Sequence, residues 1–365
     1  MANTRIDWID ELKGLGMLFV VIGHNVGIWL NAPDLARAIY LFHMPLFFFT
    51  TGLTTDLLGA AGLNVRRVIV VAIQYLVLSI GMIPVGVLFN GNGSLTAQLA
   101  GILYGTGHTI DVTPLWFLPC LACALTYILC IGNAMKLVGV KSIEPLTIVL
   151  IATALSFVGA WALNFLHGEY QYILDWGSVH ESGTFWGADV AILGSAFVLF
   201  GIGWRVYGAR LGGPLLNFGF VAGAVIALAF AVRYGVRTDL HFRRFSPSIF
   251  ALLCSLIGIV GSIGLINLLA RIEYVGRALS VVGRSSLIVL VLHNGLQNRG
   301  AKVSLLPVLG DGFLYWAVAA SLAVVLPVAI DRLIIRKVAL LNSIVYPRIH
   351  WLARSHRSGV DCAPR

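Results

Sequence analysis

Apolar runs long enough to cross a bilayer recur along almost the whole of this 365-residue chain. A membrane-spanning helix needs about 20 mostly apolar residues. Runs of that kind lie near 14–31, 38–58, 67–89, 115–135, 146–166, 186–206, 214–232, 247–269, 281–297 and 312–335, and a shorter one, 95–104, reads as a half-helix or re-entrant piece. The chain therefore reads as an all-α polytopic membrane protein, with about ten transmembrane helices in a single bundle. Composition agrees: 58% of residues are hydrophobic and 11% charged, against about 25% charged in a soluble domain. So few polar side chains cannot cover a soluble protein of this length, and lipid must cover much of its surface. The 40 glycines suit close helix packing in a bilayer. No internal repeat, low-complexity tract or long linker divides the chain. The expected organisation is a membrane domain over 1–335 and a basic cytosolic tail over 336–365. In that tail Tyr346, Ile349 and Trp351 alternate with Arg348, Arg354 and Arg357, a pattern that suits the membrane surface.

The net charge of +9 follows the positive-inside rule rather than nucleic-acid binding, because the basic residues sit between apolar runs. With ten spans and both termini in the cytosol, the inner segments hold Arg5, Lys13, Arg66, Arg67, Lys136, Lys141, Arg205, Arg210, Arg271, Arg277 and Arg284. The outer segment 167–185 holds Glu169, Asp175 and Glu181 and no Lys or Arg, and 90–114 holds only Asp111. One outer segment breaks the pattern: 233–246 carries Arg233, Arg237, Arg243 and Arg244. Either a span is miscounted, or this loop holds an anionic acceptor. A cleavable signal peptide is not expected, since Asp7, Asp10 and Glu11 give an acidic N-terminal flank. Cys120, Cys123, Cys130 and Cys254 lie inside apolar runs and read as packing thiols. No second ligand pair is spaced to complete a zinc site, so no metal is expected.

Ionisable groups inside spans are costly and are functional candidates by default. His24 lies mid-span in GMLFVVIGHN, with Lys13 eleven residues earlier. Eleven residues make about three turns, so both side chains share a helix face about 16 Å apart along the axis. Asp10 lies near the same face. This pattern reads either as a cationic mouth below a titratable imidazole, or as a hydrogen-bonded core histidine above a snorkelling lysine. His43, in YLFHMPLFFFTTG, precedes Pro45, which is expected to kink its helix and free a backbone carbonyl. Arg66 and Arg67 either mark topology or clamp phosphates, for which a guanidinium fork is suited. Trp116, in PLWFLPCL, stands at an outer boundary, and His293, in LIVLVLHN, ends a span. His167, His180 and His241 fall in outer loops and are expected to be solvated. There is no Walker, Rossmann or GxSxG motif.

The stretch IDWIDELKGLGMLFVVIGHN, then YLFHMPLFFFTTGL, the Arg66–Arg67 pair and PLWFLPCL together resemble the membrane-bound acyltransferase-3 family. The nearest likeness is to fucose-acetylase-like and exopolysaccharide or nodulation-factor O-acetyltransferases. That family is marked by a basic residue and a histidine with ten residues between them, which Lys13 and His24 match. Phe42 through Gly52 match its second motif, and SLIVLVLHN with His293 resembles its closing motif. These motifs cover roughly the first 120 residues well; beyond them the likeness is one of hydropathy and helix number.

The resemblance implies transfer of an acyl group, usually acetyl from cytosolic acetyl-CoA, to a sugar hydroxyl of a lipid-linked or exported glycan. The expected setting is the bacterial inner membrane, with no permanently bound cofactor. Partners would be acyl-CoA, a glycan or lipid-linked oligosaccharide acceptor, and membrane lipid, with no nucleic acid. Lys13, Arg66 and Arg67 would hold the CoA phosphates. His24 would act as general base, oriented by Asp10 or Asn25. His43 or Trp116 would donate to the tetrahedral intermediate, and His293 and Asn25 would line the acceptor side. A transient acyl-histidine and a succinyl or other short-chain donor remain open. Mid-span histidines also suit a transporter or flippase for glycan precursors, although the internal repeats common in transporters are missing.

Overall fold

The computed structural model describes residues 4–59, 61–90, 94–166, 183–207, 213–310 and 312–347. The helices are α1 (Thr4–Gly23), α2 (Val26–Asn31), α3 (Pro33–Tyr40), α4 (His43–Leu53), α5 (Ala61–Gly81), α6 (Ile83–Asn90), α7 (Leu95–Tyr104), α8 (Phe117–Leu137), α9 (Pro145–Leu166), α10 (Ala188–Tyr207) and α11 (Pro214–Arg233). After a short hairpin of β1 (Arg237–Asp239) and β2 (Arg244–Ser246) come α12 (Ser248–Leu269), α13 (Glu273–Arg284), α14 (Ser286–Gly295), α15 (Ala301–Ser304), α16 (Leu306–Leu309), α17 (Phe313–Ile330) and α18 (Ala339–Val345). Among the described residues, seven helices are long and apolar enough to cross a membrane. The pair Glu273–Arg284 and Ser286–Ser304, bent by 79°, makes an eighth. The protein is an all-α polytopic membrane protein.

The expected count of about ten differs from this because two of the predicted spans are interrupted where they carry histidines. The run 14–31 stops at Gly23, since the Asn25 side chain caps α2 by accepting from the Ile28 amide at 3.3 Å. The run 38–58 is divided at Leu41–Phe42 into α3 and α4. Pro45 does not kink a helix: it sits in the first turn of α4, where its missing N–H removes no intrahelical bond. The carbonyl that Pro45 cannot satisfy, that of Leu41, accepts instead from the Ser255 hydroxyl of α12 at 2.7 Å. The freed acceptor is thus converted into a tie between helices.

Two glycine-mediated crossings fix the helices that bear the histidines. A Cβ on Gly14 would fall on the Leu279 carbonyl oxygen, and one on Gly283 would fall on that of Asp10, so α1 and α13 touch backbone to backbone. The same reciprocal contact joins α4 and α10, with Gly52 against Val198 and Gly201 against Phe49. Only glycine permits such approach. Around these crossings lies a continuous core that includes Leu12, Leu46, Phe48, Leu115, Ala191 and Phe197. The first part of the expected tail docks on the bundle: Tyr346 and Arg336 both bind the fully buried Asp331, at 2.8 Å each, and Gln74 of α5 donates to the Val345 carbonyl. Ile349, Trp351, Arg348, Arg354 and Arg357 lie outside the described residues.

Candidate active site

The breaks in the first two predicted spans, together with the bent α13–α14 pair, bring three histidines together. His24 follows the last residue of α1, His43 opens α4, and His293 lies near the end of α14. Ring centroids are 6.1 Å apart for His24 and His43, and 5.2 Å for His24 and His293. Tyr40 closes the group, 4.7 Å from His43 and 5.8 Å from His24. All three imidazoles are held in one way. Nδ1 of His24 meets the Val20 carbonyl at 2.8 Å, that of His43 the Ile39 carbonyl at 3.0 Å, and that of His293 those of Val289 and Leu290 at 2.9 and 3.0 Å. A carbonyl only accepts, so Nδ1 must carry the proton, and in a neutral ring Nε2 is left as the lone-pair base. Nε2 of His293 is buried with no hydrogen-bond partner among the described residues.

Polar residues that the apolar pattern obscures stabilise the break at His24. The end of a helix leaves carbonyls without intrahelical donors. Here Gln297 donates to the Val21 carbonyl at 3.1 Å and Asn298 to that of His24 at 2.8 Å. Both come from a π-helical turn, Leu296–Gly300, a form of backbone frequent at functional sites. Asn25 belongs to this joint: besides its cap, its amide faces Gln297 at 3.5 Å and the Trp316 carbonyl at 3.3 Å, and it is buried. Its polar atoms are thus engaged at the break itself.

A cavity of about 50 Å³ adjoins the histidines, lined by His24, Tyr40, His43, Trp116, Asp239 and His241 among others. That exceeds the space one water needs. Its far wall is the β1–β2 hairpin, so the expectation that His241 is solvated is overturned. Its ring stacks on His108 at 4.7 Å and lies 5.9 Å from Trp116. Burial, with help from His108 and Arg243, pushes the His241 pKa down to about 3. The hairpin is locked by Arg243, whose Nε donates to Asp189 at 2.7 Å with both side chains buried, and whose Nη1 reaches the His241 carbonyl at 3.3 Å. One of the four anomalous loop arginines is therefore structural. A sequence signal for this lid did exist: Thr238 and Phe245 alternate with polar neighbours on either side of a tight turn, which is hairpin spacing. His167 and His180 lie outside the described residues.

Beside the middle of α1 and the C-terminal end of α4 a larger cavity, about 590 Å³, is lined by Lys13, Arg66 and Arg67 together with Thr51, Thr54, Asp56, Val70, Val71, Leu121 and Leu125. Arg67 is oriented by the end of α4, donating to the Thr54 carbonyl, the Thr55 hydroxyl and the Thr54 hydroxyl at 2.8, 2.8 and 2.6 Å. The basic cavity and the histidine cluster are thus linked twice: Lys13 to His24 on α1, and Thr54 to His43 on α4, each separated by eleven residues, or about 16 Å of helix. Lys13, Arg66 and Arg67, expected to act together, line this one cavity. Asp10 is another matter. It pairs with Arg284 at 3.0 Å and stands fourteen residues, about 21 Å of helix, before His24. The Val20 carbonyl, not Asp10, orients the imidazole. Among the described residues no group of three or more His, Cys, Asp or Glu is arranged to hold a metal.

Comparison with known proteins supplies one match of decisive length. The family described as "Acyltransferase domain", the acyltransferase-3 family, matches residues 6–332. No curated protein and no solved structure matches the chain. The match runs from the first turn of α1 through all three histidines to the start of a π-helical turn, Asp331–Ile335, after α17, so the chain belongs to the acyltransferase-3 family of membrane acyltransferases.

Proposed function

We propose that this protein is an O-acyltransferase that carries acetyl from acetyl-CoA to a sugar hydroxyl of an exported or surface glycan. One observation carries the reading: a basic cavity and a cluster of three Nδ1-anchored histidines lie along the same helix pair, the cavity at the middle of α1 and the C-terminal end of α4, the histidines at the C-terminal end of α1 and the N-terminal end of α4. In this reading the Lys13 end faces the cytosol. Lys13, Arg66 and Arg67 hold the CoA phosphates, and the apolar wall of Val70, Val71, Leu121 and Leu125 receives the pantetheine arm.

An alcohol is a weak nucleophile until its proton is removed. His24 presents Nε2 as the base and takes that proton. The oxygen attacks the thioester carbonyl, a C–O bond forms, the C–S bond breaks, and the imidazolium returns the proton to the departing CoA thiolate. The tetrahedral oxyanion needs a donor. With Nδ1 of His43 committed to Ile39, the neutral His43 ring offers an acceptor there, so the indole N–H of Trp116 is the better donor of the two. His43 and His293 hold the His24 ring and tune its surroundings.

The test is a mass spectrum of the surface or secreted polysaccharide with the gene, without it, and with a His24→Ala copy. Loss of one acetyl increment per repeat in both altered strains is expected. A different increment would change the donor. A glycan of unaltered structure, acetyl groups included, with lowered export would replace this reading with the transport one.

A further inference from the structure

On the far side of Tyr40 from the histidines lies a separate cleft of about 390 Å³, between α3 and the hairpin. Its lining holds three guanidinium groups, Arg37, Arg237 and Arg244, together with Trp29, Tyr40 and Asp239. Two of these residues, Tyr40 and Asp239, also line the histidine cavity. The cleft and the cluster therefore share a wall, and a group seated among the arginines lies one side chain away from His24.

The arginines of this cleft are only lightly engaged by the fold: Arg244 lies over the Phe242 ring at 5.7 Å and Arg37 binds Asp34, both at the surface. Arg243 alone among the hairpin arginines is buried and paired within the protein core. Arg237 and Arg244 are exposed. Hairpin register places Asp239 opposite Arg244 and Arg237 opposite Ser246, so both arginines stand on the face of the ribbon opposite to the buried Thr238 and Phe245. Arg37 approaches from α3, where Asp34 binds it at 3.0 Å on the surface. The single carboxylate in the lining, Asp239, is tied to the hairpin turn by the Phe242 amide at 3.2 Å. Arg244, directly across the hairpin, offsets its charge. Trp29 meets Tyr40 edge to face at 5.4 Å, giving the cleft an aromatic corner of the kind sugar rings pack on. Arginine is the residue suited to two-pronged recognition of carboxylate and phosphate.

We infer that this cleft selects the acceptor, and that the acceptor is an anionic sugar whose carboxylate or phosphate is bound by Arg37, Arg237 and Arg244 while its neighbouring hydroxyl passes Tyr40 toward His24. The inference rests on the acyltransferase reading for its hydroxyl, but not for its anion site.

The experiment uses the full chain in lipid nanodiscs. Binding of methyl glucuronide, glucose 6-phosphate and methyl glucoside is measured by calorimetry. Acetyl transfer from acetyl-CoA is measured on oligosaccharides ending in glucuronate, in a phosphohexose or in glucose. Both anionic probes, or either one, should bind where methyl glucoside does not, and the better of the two identifies a uronic acid or a phosphosugar as the source of the charge. Arg237→Gln with Arg244→Gln should raise the acceptor KM by about tenfold or more, as expected for lost charged hydrogen bonds. The KM for acetyl-CoA and the rate on the neutral acceptor should not move. Arg233→Gln, on the same segment but outside the cleft, should change nothing. Equal binding and equal turnover of neutral and anionic sugars would overturn the inference and leave the acyltransferase intact. Anion binding that is lost in the double variant, in a protein that transfers no acyl group, would keep the site and remove the enzymatic reading.

Discussion

His24 and His293 meet edge to face with ring centroids 5.2 Å apart, although one ends the first helix and the other lies near the end of α14. The contact places a fully buried imidazole, with Nδ1 already committed, directly against the proposed base. His24→Ala is expected to lower acetyl transfer by about 10²–10⁴-fold, the usual worth of a general base, while the protein still reaches the membrane and elutes as a single species in detergent. His293→Asn should lower kcat by less and leave the acetyl-CoA KM unaltered. Full activity in the His24→Ala variant would remove the mechanism.

The basic cavity makes a separate prediction about the donor. Arg67 is gripped by three contacts from Thr54 and Thr55, a geometry that depends on the planar fork. Arg67→Lys should therefore fail to rescue what Arg67→Ala loses. Both should raise the acetyl-CoA KM by about tenfold or more, and Lys13→Ala should do likewise, with the acceptor KM unmoved. Titration of acetyl-CoA against the purified variants checks this. A rise confined to the acceptor would place the donor elsewhere.

Close backbone contact between α1 and α13 makes Gly283 more sensitive than its small size suggests. An alanine there would set its methyl on the Asp10 carbonyl oxygen, and neither partner is a flexible side chain. Overpacking of this kind costs about 1–3 kcal/mol, so Gly283→Ala should lower the melting temperature in detergent and reduce activity by displacing α1 with its histidine. Gly219→Ala, which meets nothing within 4 Å, is the matched control and should leave both unchanged.

What the sequence disclosed, and what it did not, follows from the range of the forces involved. Lys13 and His24 were legible as a pair because a helix period fixes their relation locally. The cavity around Arg66 and Arg67 was legible because charge at the end of an apolar run is conspicuous. Asp10 was misread for a physical reason: helical phase put it near the His24 face, but its partner, Arg284, arrives from α13 across a tertiary contact. The partners of Asn25, Gln297 and Trp316, likewise come from distant segments and could not be read locally. The hairpin holding His241 left only a faint trace for a third reason: with three residues per strand, the alternation at Thr238 and Phe245 runs for a single period. The breaks at Asn25 and Leu41–Phe42 escaped a hydropathy reading because that reading averages across single residues.

The ion pair of Arg243 and Asp189 predicts the consequence of freeing the hairpin. Asp189 also accepts from the Thr184 hydroxyl at 2.7 Å, so its carboxylate is fully engaged at the start of α10. Removing one member of a buried pair leaves the other charge uncompensated, at a cost of about 3–5 kcal/mol. Asp189→Ala should thus destabilise strongly. Replacing both residues, Asp189→Leu with Arg243→Met, should recover much of the melting temperature. It should not recover acetyl transfer, because the hairpin would have lost the contact from Arg243 to the His241 carbonyl.

The same hairpin gives a pH dependence whose sign can be worked out. The folded His241 has its pKa pushed down to about 3, by burial first and then by His108 and Arg243. The unfolded chain keeps the ordinary value near 6.5. Between these limits the unfolded state binds more protons, so stability must fall as the medium is acidified. The contribution is complete above about pH 6.5 and is lost progressively as the pH drops toward the folded value. His108 shifts in the same direction, with burial as the main cause, and adds to the slope. His241→Gln should therefore show a smaller drop in melting temperature between pH 7 and pH 5 than the parent protein, measured in the same nanodiscs. Identical drops would mean that the hairpin histidine is open to solvent, and with it the wall between the arginine cleft and His24.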